Sequence, residues 1–255
     1  MTSTREKARE ARLAALKLAN LPTASKDKAL HAMADALVEG TEEILSSNKE
    51  DFDKAEILKQ KGDLSRALVD RLRVDAGTIE KMAAGVRSVA SLDDPVGKTL
   101  MAKELDDDLL LYKVSTPIGV VGVVFESRPD VVAQVASLAL KSGNAILFKG
   151  GREASNSNRI LYQLLYDASL SVDGVPQGWC QLLETREEIE ELLKCEDDIN
   201  LLIPRGSNTF VKFVQEHTKI PVLGHSEGLC HVYVDGKADI EKALNIAYDA
   251  KVQYP

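Results

Sequence analysis

The feature that most constrains this chain is the alternation, beyond Tyr112, of short apolar runs with longer segments of helical periodicity. The run from Ile118 to Phe125 predicts a buried strand, and the segment from Pro129 to Lys141 predicts a helix with proline near its start. Strands that alternate with helices favour crossover connections and a mostly parallel sheet with helices on both faces. The predicted fold class is therefore α/β. Further strands are predicted over 145–148, 179–183, 200–203, near Val222 and over 231–234, and further helices over 156–170, 186–194, 208–217 and 238–251.

The segment before this alternation has a different pattern. From Thr4 to about Leu92, alanine and leucine recur three and four residues apart with charged residues between them, which predicts amphipathic helices. The pattern changes after Ser91, where a proline–glycine stretch precedes the acidic turn Asp106-Asp107-Asp108. We therefore predict a helical N-terminal region over residues 1–105 that packs on an α/β domain over residues 106–255.

Composition excludes several classes of protein. The chain has 255 residues, with 40 acidic and 32 basic side chains and a net charge of -8. This balance opposes a nucleic acid as partner, because such binding depends on neutralising phosphates with lysine and arginine. Three cysteines without a C-x-x-C pair indicate reduced thiols. The N-terminus lacks the apolar stretch of a signal peptide, and no apolar run approaches the ~20 residues that cross a bilayer. We expect no membrane partner and a cytoplasmic location.

Polar and glycine residues follow the predicted strands, at the edge where parallel α/β sheets bind ligands. Segment 148–156 contains Lys149, Gly151 and Arg152, and segment 204–208 contains Gly206 and Ser207. Glycine allows close backbone approach, and a helix start offers N–H groups and a positive dipole end to an anion. Two such loops on one sheet favour a nucleotide or phosphate site. Glycine turns with solvated cations are the alternative.

Four ordered motifs carry a family resemblance: TPIGVVGVVFESRP over 116–129, KSGNAILFKGGRE over 141–153, PRGSN over 204–208 and IPVLGH over 220–225. Together they resemble the γ-glutamyl phosphate reductases, a family within the aldehyde dehydrogenase superfamily. The resemblance implies an aldehyde-dehydrogenase-like, Rossmann-type parallel sheet. It also implies the NADPH-dependent reduction of γ-glutamyl phosphate to glutamate 5-semialdehyde with release of phosphate, the second step of proline biosynthesis. The chain has no GxGxxG, which agrees with a superfamily that holds its cofactor without that fingerprint.

The resemblance implies that the cofactor is bound by Lys149, Gly151, Arg152, Gly206 and Ser207. Superfamily members that use NAD commonly place a lysine and, three residues later, a glutamate on the adenosine ribose hydroxyls. Lys149 matches that lysine, whereas Arg152 stands in the place of the glutamate. A guanidinium would pair with a 2′-phosphate that a carboxylate would repel, so we predict NADPH rather than NADH as the cofactor.

Substrate binding is implied at Ser127 and Arg128. The superfamily's Trp-Asn-Phe-Pro stretch aligns with residues 126–129, so Ser127 would take part of the role of the asparagine that polarises the reacting carbonyl. Arg128 would clamp the acyl phosphate or the substrate carboxylate. The alternative for Arg128 is a structural ion pair with Glu126 or Asp130. The segment 222–226 lacks the glutamate that activates a hydrolytic water in the oxidative enzymes, and its His225 has either an acid–base or a structural role.

The thiol nucleophile that this chemistry needs is not among Cys180, Cys195 and Cys230, which we interpret as buried or incidental. In the family the nucleophile follows a tyrosine–proline pair, so we expect the catalytic cysteine just after Pro255 and the catalytic domain outside this chain, which alone would be inactive. The resemblance also raises glutamate 5-kinase as a partner and a homo-oligomer at full length. We assign no metal. Another aldehyde dehydrogenase and a non-catalytic nucleotide-binding module are the alternatives.

Overall fold

The computed structural model describes residues 3–224 and 230–253, and its N-terminal part is helical as predicted. Ser3 and Glu6 bond reciprocally across the start of the first helix, and Asp75 accepts a hydrogen bond from the backbone of Thr78 at the start of the fifth. Such caps satisfy N–H groups that a helix leaves free at its start. The five helices are α1 (Thr4–Leu18), α2 (Thr23–Glu39), α3 (Thr41–Gln60), α4 (Arg66–Leu72) and α5 (Ala76–Ala90).

A two-stranded antiparallel hairpin follows these helices and was not predicted. Its strands are β1 (Thr99–Asp106) and β2 (Leu109–Val114), and the acidic turn lies between them with Asp108 at a φ of 60°. Every residue of both strands is exposed. The apolar residues of β1 and β2 therefore do not mark a buried face. The predicted division between residues 105 and 106 falls within this hairpin, and as a domain boundary it stays a prediction.

The main sheet confirms the predicted α/β class. Its four described strands are β3 (Val120–Val124), β4 (Ala145–Lys149), β5 (Cys180–Leu183) and β6 (Leu201–Pro204). They run parallel in the order β5-β4-β3-β6, so β3, the first of the four in the chain, lies inside the sheet. Every residue of its two central strands is buried, as continuous apolar runs predict for a parallel sheet. Each of these four strands lies within two residues of its predicted bounds.

Helices cover both faces of the sheet. The connecting helices are α6 (Asp130–Lys141), α7 (Ser155–Leu170), α8 (Arg186–Leu192) and α9 (Asn208–Glu216). α1 packs with α8 on one face, and α6 and α7 pack on the other with α2 and α5 behind them. The buried apolar residues of the N-terminal helices and of the sheet form one continuous cluster. The N-terminal helices therefore hold the sheet from both sides.

The C-terminal part departs from the prediction. Val222 makes a single parallel bridge to Leu202 rather than a strand, and His231 to Val234 are not in a strand. The predicted strand over 231–234 is therefore wrong. The last described helix, α10 (Ile240–Val252), buries no residue. Within the described residues, no helix has both the length and the apolar character needed to cross a membrane.

A buried ion pair fastens α2 to the segment before the hairpin, and it predicts a pH dependence. The ammonium of Lys26, 1% exposed, lies 2.9 Å from Asp94. Burial opposes ionisation of Asp94, but hydrogen bonds from the Val96 N–H, Lys26 and Thr23 outweigh it and lower its pKa. A carboxyl whose folded pKa is depressed contributes stability above its unfolded pKa of about 4, and that stability is lost as pH falls through the folded pKa.

We therefore expect Asp94→Asn to destabilise the chain clearly at pH 7, and the difference from the unsubstituted chain to shrink at pH 3. Urea unfolding at the two pH values measures this. Asp93→Asn is the matched control, because Asp93 is 90% exposed and pairs with Lys98 in solvent, where ion pairs contribute little. A difference that stays constant between the two pH values would contradict the assignment.

Candidate functional site

Two clefts open at the carboxyl edge of the sheet. The first cleft, of about 700 Å³, lies beyond the ends of β3 and β4 and is bordered by α8 and α9. Lys149, Gly151, Arg152 and Ser207 line it together, and so does Ser127. The second cleft, of about 730 Å³, extends along α6 and the face formed by β3 and β6, and Arg128 and Gly206 line it. The structure thus brings four of the five predicted cofactor residues into one cleft and places Gly206 in the adjoining one.

Lys149 is the cation at the floor of the first cleft. It is the last residue of β4 and only 9% exposed. Burial lowers the pKa of its ammonium, Arg152 acts in the same direction, and the carboxylates of Glu153 and Glu126 oppose both. The ammonium forms no hydrogen bond or ion pair with the described part of the chain. Because a buried ammonium that makes no hydrogen bond is costly, its donors suit an anion or hydroxyl in the cleft.

Glu153 joins the loops that follow β3 and β4. Its carboxylate accepts hydrogen bonds from the backbone N–H of Ser127 at 2.7 Å and from the Ser127 hydroxyl at 2.6 Å. Ser127 is 3% exposed and has a φ of 45°, a left-handed conformation that is uncommon for serine. The hydroxyl proton of Ser127 is thus committed to Glu153. Sequence reasoning missed Glu153, which no local pattern places beside Ser127.

The same carboxylate explains why residue 151 is glycine. A Cβ built on Gly151 would overlap the Glu153 carboxylate, although the φ of Gly151 is an ordinary -60°. At Gly206 a Cβ would lie 3.1 Å from Oε1 of Glu126. Both glycines therefore allow a carboxylate of the protein itself to approach the backbone closely.

The start of α7 is closed to a ligand, contrary to the expectation of free N–H groups there. The buried carboxylate of Asp51, from α3, accepts hydrogen bonds from the N–H of Asn156 at 3.2 Å and from the N–H and hydroxyl of Ser157 at 2.7 and 2.8 Å. Asn48 donates to the Ser157 hydroxyl as well. An anion from within the chain thus occupies the positive end of this helix, where the sequence predicted a ligand.

Ser207 and Arg128 each have an internal partner. Ser207 is the N-cap of α9, and its hydroxyl accepts a hydrogen bond from the backbone of Phe210 at 3.3 Å. The guanidinium of Arg128 donates to both oxygens of Asp130, at 2.7 and 3.3 Å. The ion pair that the sequence analysis weighed for Arg128 is therefore formed, with Asp130 and not with Glu126. Arg128 remains half exposed in the second cleft.

Glu126 lies where the two clefts meet. It lines both of them, together with Leu68 and Phe125. Burial raises the pKa of its carboxyl, the neighbouring Glu153 raises it further, and Lys149 opposes the shift. A carboxyl with a raised pKa at the end of a central strand is a group suited to holding or moving a proton. The sequence analysis considered Glu126 only as a partner for Arg128.

None of the three cysteines lines either cleft. Cys180 and Cys195 are buried, and burial raises the pKa of both thiols, which disfavours the thiolate. Cys230 is exposed rather than buried, and it does not begin a strand. His225 lies outside the described residues, so its role stays a prediction.

Comparison with known proteins agrees with this architecture. A model of the aldehyde dehydrogenase family matches residues 2–254. The γ-glutamyl phosphate reductase of Methanococcoides burtonii is 54% identical over 254 residues, which cover 100% of this chain and 57% of that protein. This chain therefore spans little more than half the length of the curated relatives it matches.

Solved structures show the same likeness. The γ-glutamyl phosphate reductase of Thermotoga maritima superposes with a TM-score of 0.89 at 35% identity, over 98% of this chain and 60% of that one. The corresponding enzyme of Saccharomyces cerevisiae superposes with a TM-score of 0.81 at 42% identity, over 98% and 63%. The resemblance seen in the four sequence motifs is confirmed by these matches. The chain belongs to the aldehyde dehydrogenase family.

Proposed function

We propose that this chain provides the cofactor-binding part of an NADPH-dependent reductase that converts γ-glutamyl phosphate to glutamate 5-semialdehyde and phosphate in proline biosynthesis. The relatives that bear the name γ-glutamyl phosphate reductase support the substrate and the reaction. The observation that carries the cofactor assignment is the ammonium of Lys149, which lines the first cleft and forms no hydrogen bond or ion pair with the described residues.

The residues of the first cleft fit a dinucleotide. Ile189 of α8 and Phe210 and Phe213 of α9 give it an apolar wall on which a flat base can lie. Lys149 supplies donors for ribose hydroxyls, and Arg152 lies exposed at the rim. A nicotinamide cofactor bound here would supply the hydride. The protein's part is to bind it through Lys149 and Ser207, and to favour the 2′-phosphate through Arg152.

The proposed reaction needs a thiolate that attacks the acyl carbon and expels phosphate, after which hydride addition to the thioester and release of the thiol give the aldehyde. Ser127 and Arg128 are proposed to bind the substrate. Because the Ser127 hydroxyl proton is held by Glu153, Ser127 would act by positioning this loop rather than by donating that proton to the substrate. The thiolate is not assigned to Cys180, Cys195 or Cys230.

Assembly and location are part of the same proposal. A two-stranded hairpin with both faces exposed is marginal in water on its own. The hairpin of β1 and β2 exposes Leu105, Leu109 and Tyr112, each by more than half. An apolar ribbon of this kind favours association with another copy of the protein, so we propose a homo-oligomer. We propose separately that the protein acts in the cytoplasm.

The cofactor assignment is tested by replacing Lys149 with methionine. We expect NADPH to bind the chain about 10- to 100-fold more weakly, since a charged donor is lost while the volume is kept. Folding should be unaffected or slightly favoured, because an unpaired buried ammonium is removed. Isothermal titration calorimetry measures the affinity, and Lys212→Met, at an exposed position on α9 outside the cleft, is the control. Absence of NADPH binding by the unsubstituted chain would refute the assignment.

A further inference from the structure

The second cleft contains three arginines that come from three different segments. Arg71 lies on α4, Arg128 in the loop after β3, and Arg205 in the loop after β6. The chain as a whole carries a net charge of -8, so a cleft lined by three guanidinium groups has the opposite sign of charge to the protein as a whole. Guanidinium groups bind carboxylates and phosphates with paired, parallel hydrogen bonds, which makes such a cleft a site for a small anion.

Two of these guanidinium groups have no internal partner. Arg128 is held by Asp130, whereas neither Arg71 nor Arg205 forms a side-chain hydrogen bond or ion pair with the residues that the structure describes. The backbone N–H of Arg205 donates to the carbonyl of Val124 at 2.7 Å, which continues the pairing of β6 with β3. Arg205 therefore lies at the end of β6, beside the end of β3, and Arg128 lies in the loop that follows β3.

The position of Arg71 is set by buried neighbours on both sides. Val69 and Leu72 of α4 are fully buried in a small cluster with Ala55 of α3 and Ala154. The carbonyl of Leu72 accepts a hydrogen bond from the buried side chain of Asn48 at 2.8 Å. α4 is thus fastened next to the sheet edge, so Arg71 is presented to the cleft by a rigid support rather than by a mobile surface helix.

The rest of the cleft suits a short acyl chain. Val121 and Val123 of β3 and Ile203 of β6 form an apolar floor, and α6 lines one side with Val131 and Val135. Glu126, which also lines the first cleft, marks the place where the two clefts join. A ligand with an anionic end at the arginines and an apolar middle on the floor would place its reactive carbon near this junction.

We infer that the second cleft binds the acyl phosphate substrate, with Arg71 and Arg205 taking its phosphate group. This inference rests on the proposed function and deepens it, since it gives a specificity-determining role to two residues, Arg71 and Arg205, to which the sequence analysis assigned none. The phosphate is the group that distinguishes the activated acyl chain from the free acid and from the aldehyde product. Recognition by two arginines selects the activated form.

The test uses L-2-amino-5-phosphonopentanoate, a stable compound with an amino-acid head and a phosphonate end, and isothermal titration calorimetry on this chain. We expect this compound to bind, and L-norvaline, which lacks the phosphonate, to bind at least tenfold more weakly. Arg71→Gln and Arg205→Gln should each weaken binding of the phosphonate about tenfold or more. Arg66→Gln, on the same helix but outside the cleft and 85% exposed, should leave it unchanged.

The outcomes separate this inference from the proposed function. NADPH affinity should be the same in Arg71→Gln as in the unsubstituted chain. If the chain binds NADPH but not the phosphonate, or if Arg66→Gln weakens phosphonate binding equally, the inference fails and the cofactor assignment stands. If Arg71→Gln weakens NADPH binding as much as phosphonate binding, the arginines belong to the cofactor site. Inorganic phosphate that binds as tightly as the phosphonate would show a site for the free anion instead.

Discussion

Replacement of Asp51 by alanine is expected to lower the free energy of unfolding by about 3 kcal/mol or more. Asp51 is 2% exposed and accepts three hydrogen bonds at the start of α7. α7 has no side-chain cap of its own, because Ala154 precedes it. Without the carboxylate, the N–H groups of Asn156 and Ser157 would lose their acceptor at the positive end of the helix, and that of Ser157 would be left unpaired in a buried position. Urea unfolding followed by circular dichroism measures the change.

The chain offers a matched control one residue away. Glu50 accepts a hydrogen bond from the side chain of Asn156 at 3.1 Å, but in an exposed position. Glu50→Gln should change the free energy of unfolding by less than about 0.5 kcal/mol, as is usual for surface positions. An intermediate loss is expected for Asp51→Asn, which keeps an acceptor but not the charge. Equal stability of the Asp51→Ala chain and the unsubstituted chain would show that α7 is capped in another way.

Replacement of Arg152 by glutamate is expected to reverse the cofactor preference. The ratio of NADPH to NADH affinity should fall about 100-fold, ~2.7 kcal/mol, because a guanidinium that pairs with the 2′-phosphate gives way to a carboxylate that repels it. Arg152 is exposed and forms no hydrogen bond or ion pair with the described residues, so its replacement breaks neither within this part of the chain. Titration of this chain with both dinucleotides measures the ratio.

Two further variants locate the effect. Arg152→Gln removes the charge without adding repulsion, and it should weaken NADPH binding about tenfold and leave NADH binding unchanged. Arg9→Glu reverses the same charge at an exposed position of α1 outside both clefts, and it should leave the ratio unaltered. If the ratio in Arg152→Glu equals that of the unsubstituted chain, Arg152 does not select the cofactor.

Much of the fold could be predicted because its strongest signals are local. The continuous apolar runs at 120–124 and 145–148 lie in central strands of a parallel sheet, buried on both faces. The hairpin was missed because the apolar residues of β1 and β2 are exposed. The segment from His231 to Val234 was wrongly predicted as a strand, because its apolar residues suggested a buried strand whereas they are exposed and not in a sheet.

The candidate site was predictable only in part. Lys149 and Arg152 were found from their place after a strand, and the structure puts them in one cleft. Glu126 escaped notice as a site residue because its raised pKa depends on burial and on Glu153, which is 27 positions away. Arg71 lies on an N-terminal helix and gives no sequence signal of its own.

By itself the sequence determined the α/β class, the N-terminal helices, the loops that follow the strands and the family, because periodicity and short motifs depend on neighbouring residues. Only the tertiary structure decided which side chains from elsewhere in the chain pair with the residues of those loops. Asp51 from α3 occupies the start of α7, Glu153 holds Ser127, and Arg71 lines one cleft together with the arginines that follow two strands. These residues are far apart in the chain. Only the packing of the helices against the sheet determines which charged groups pair with one another and which are left to line a cleft.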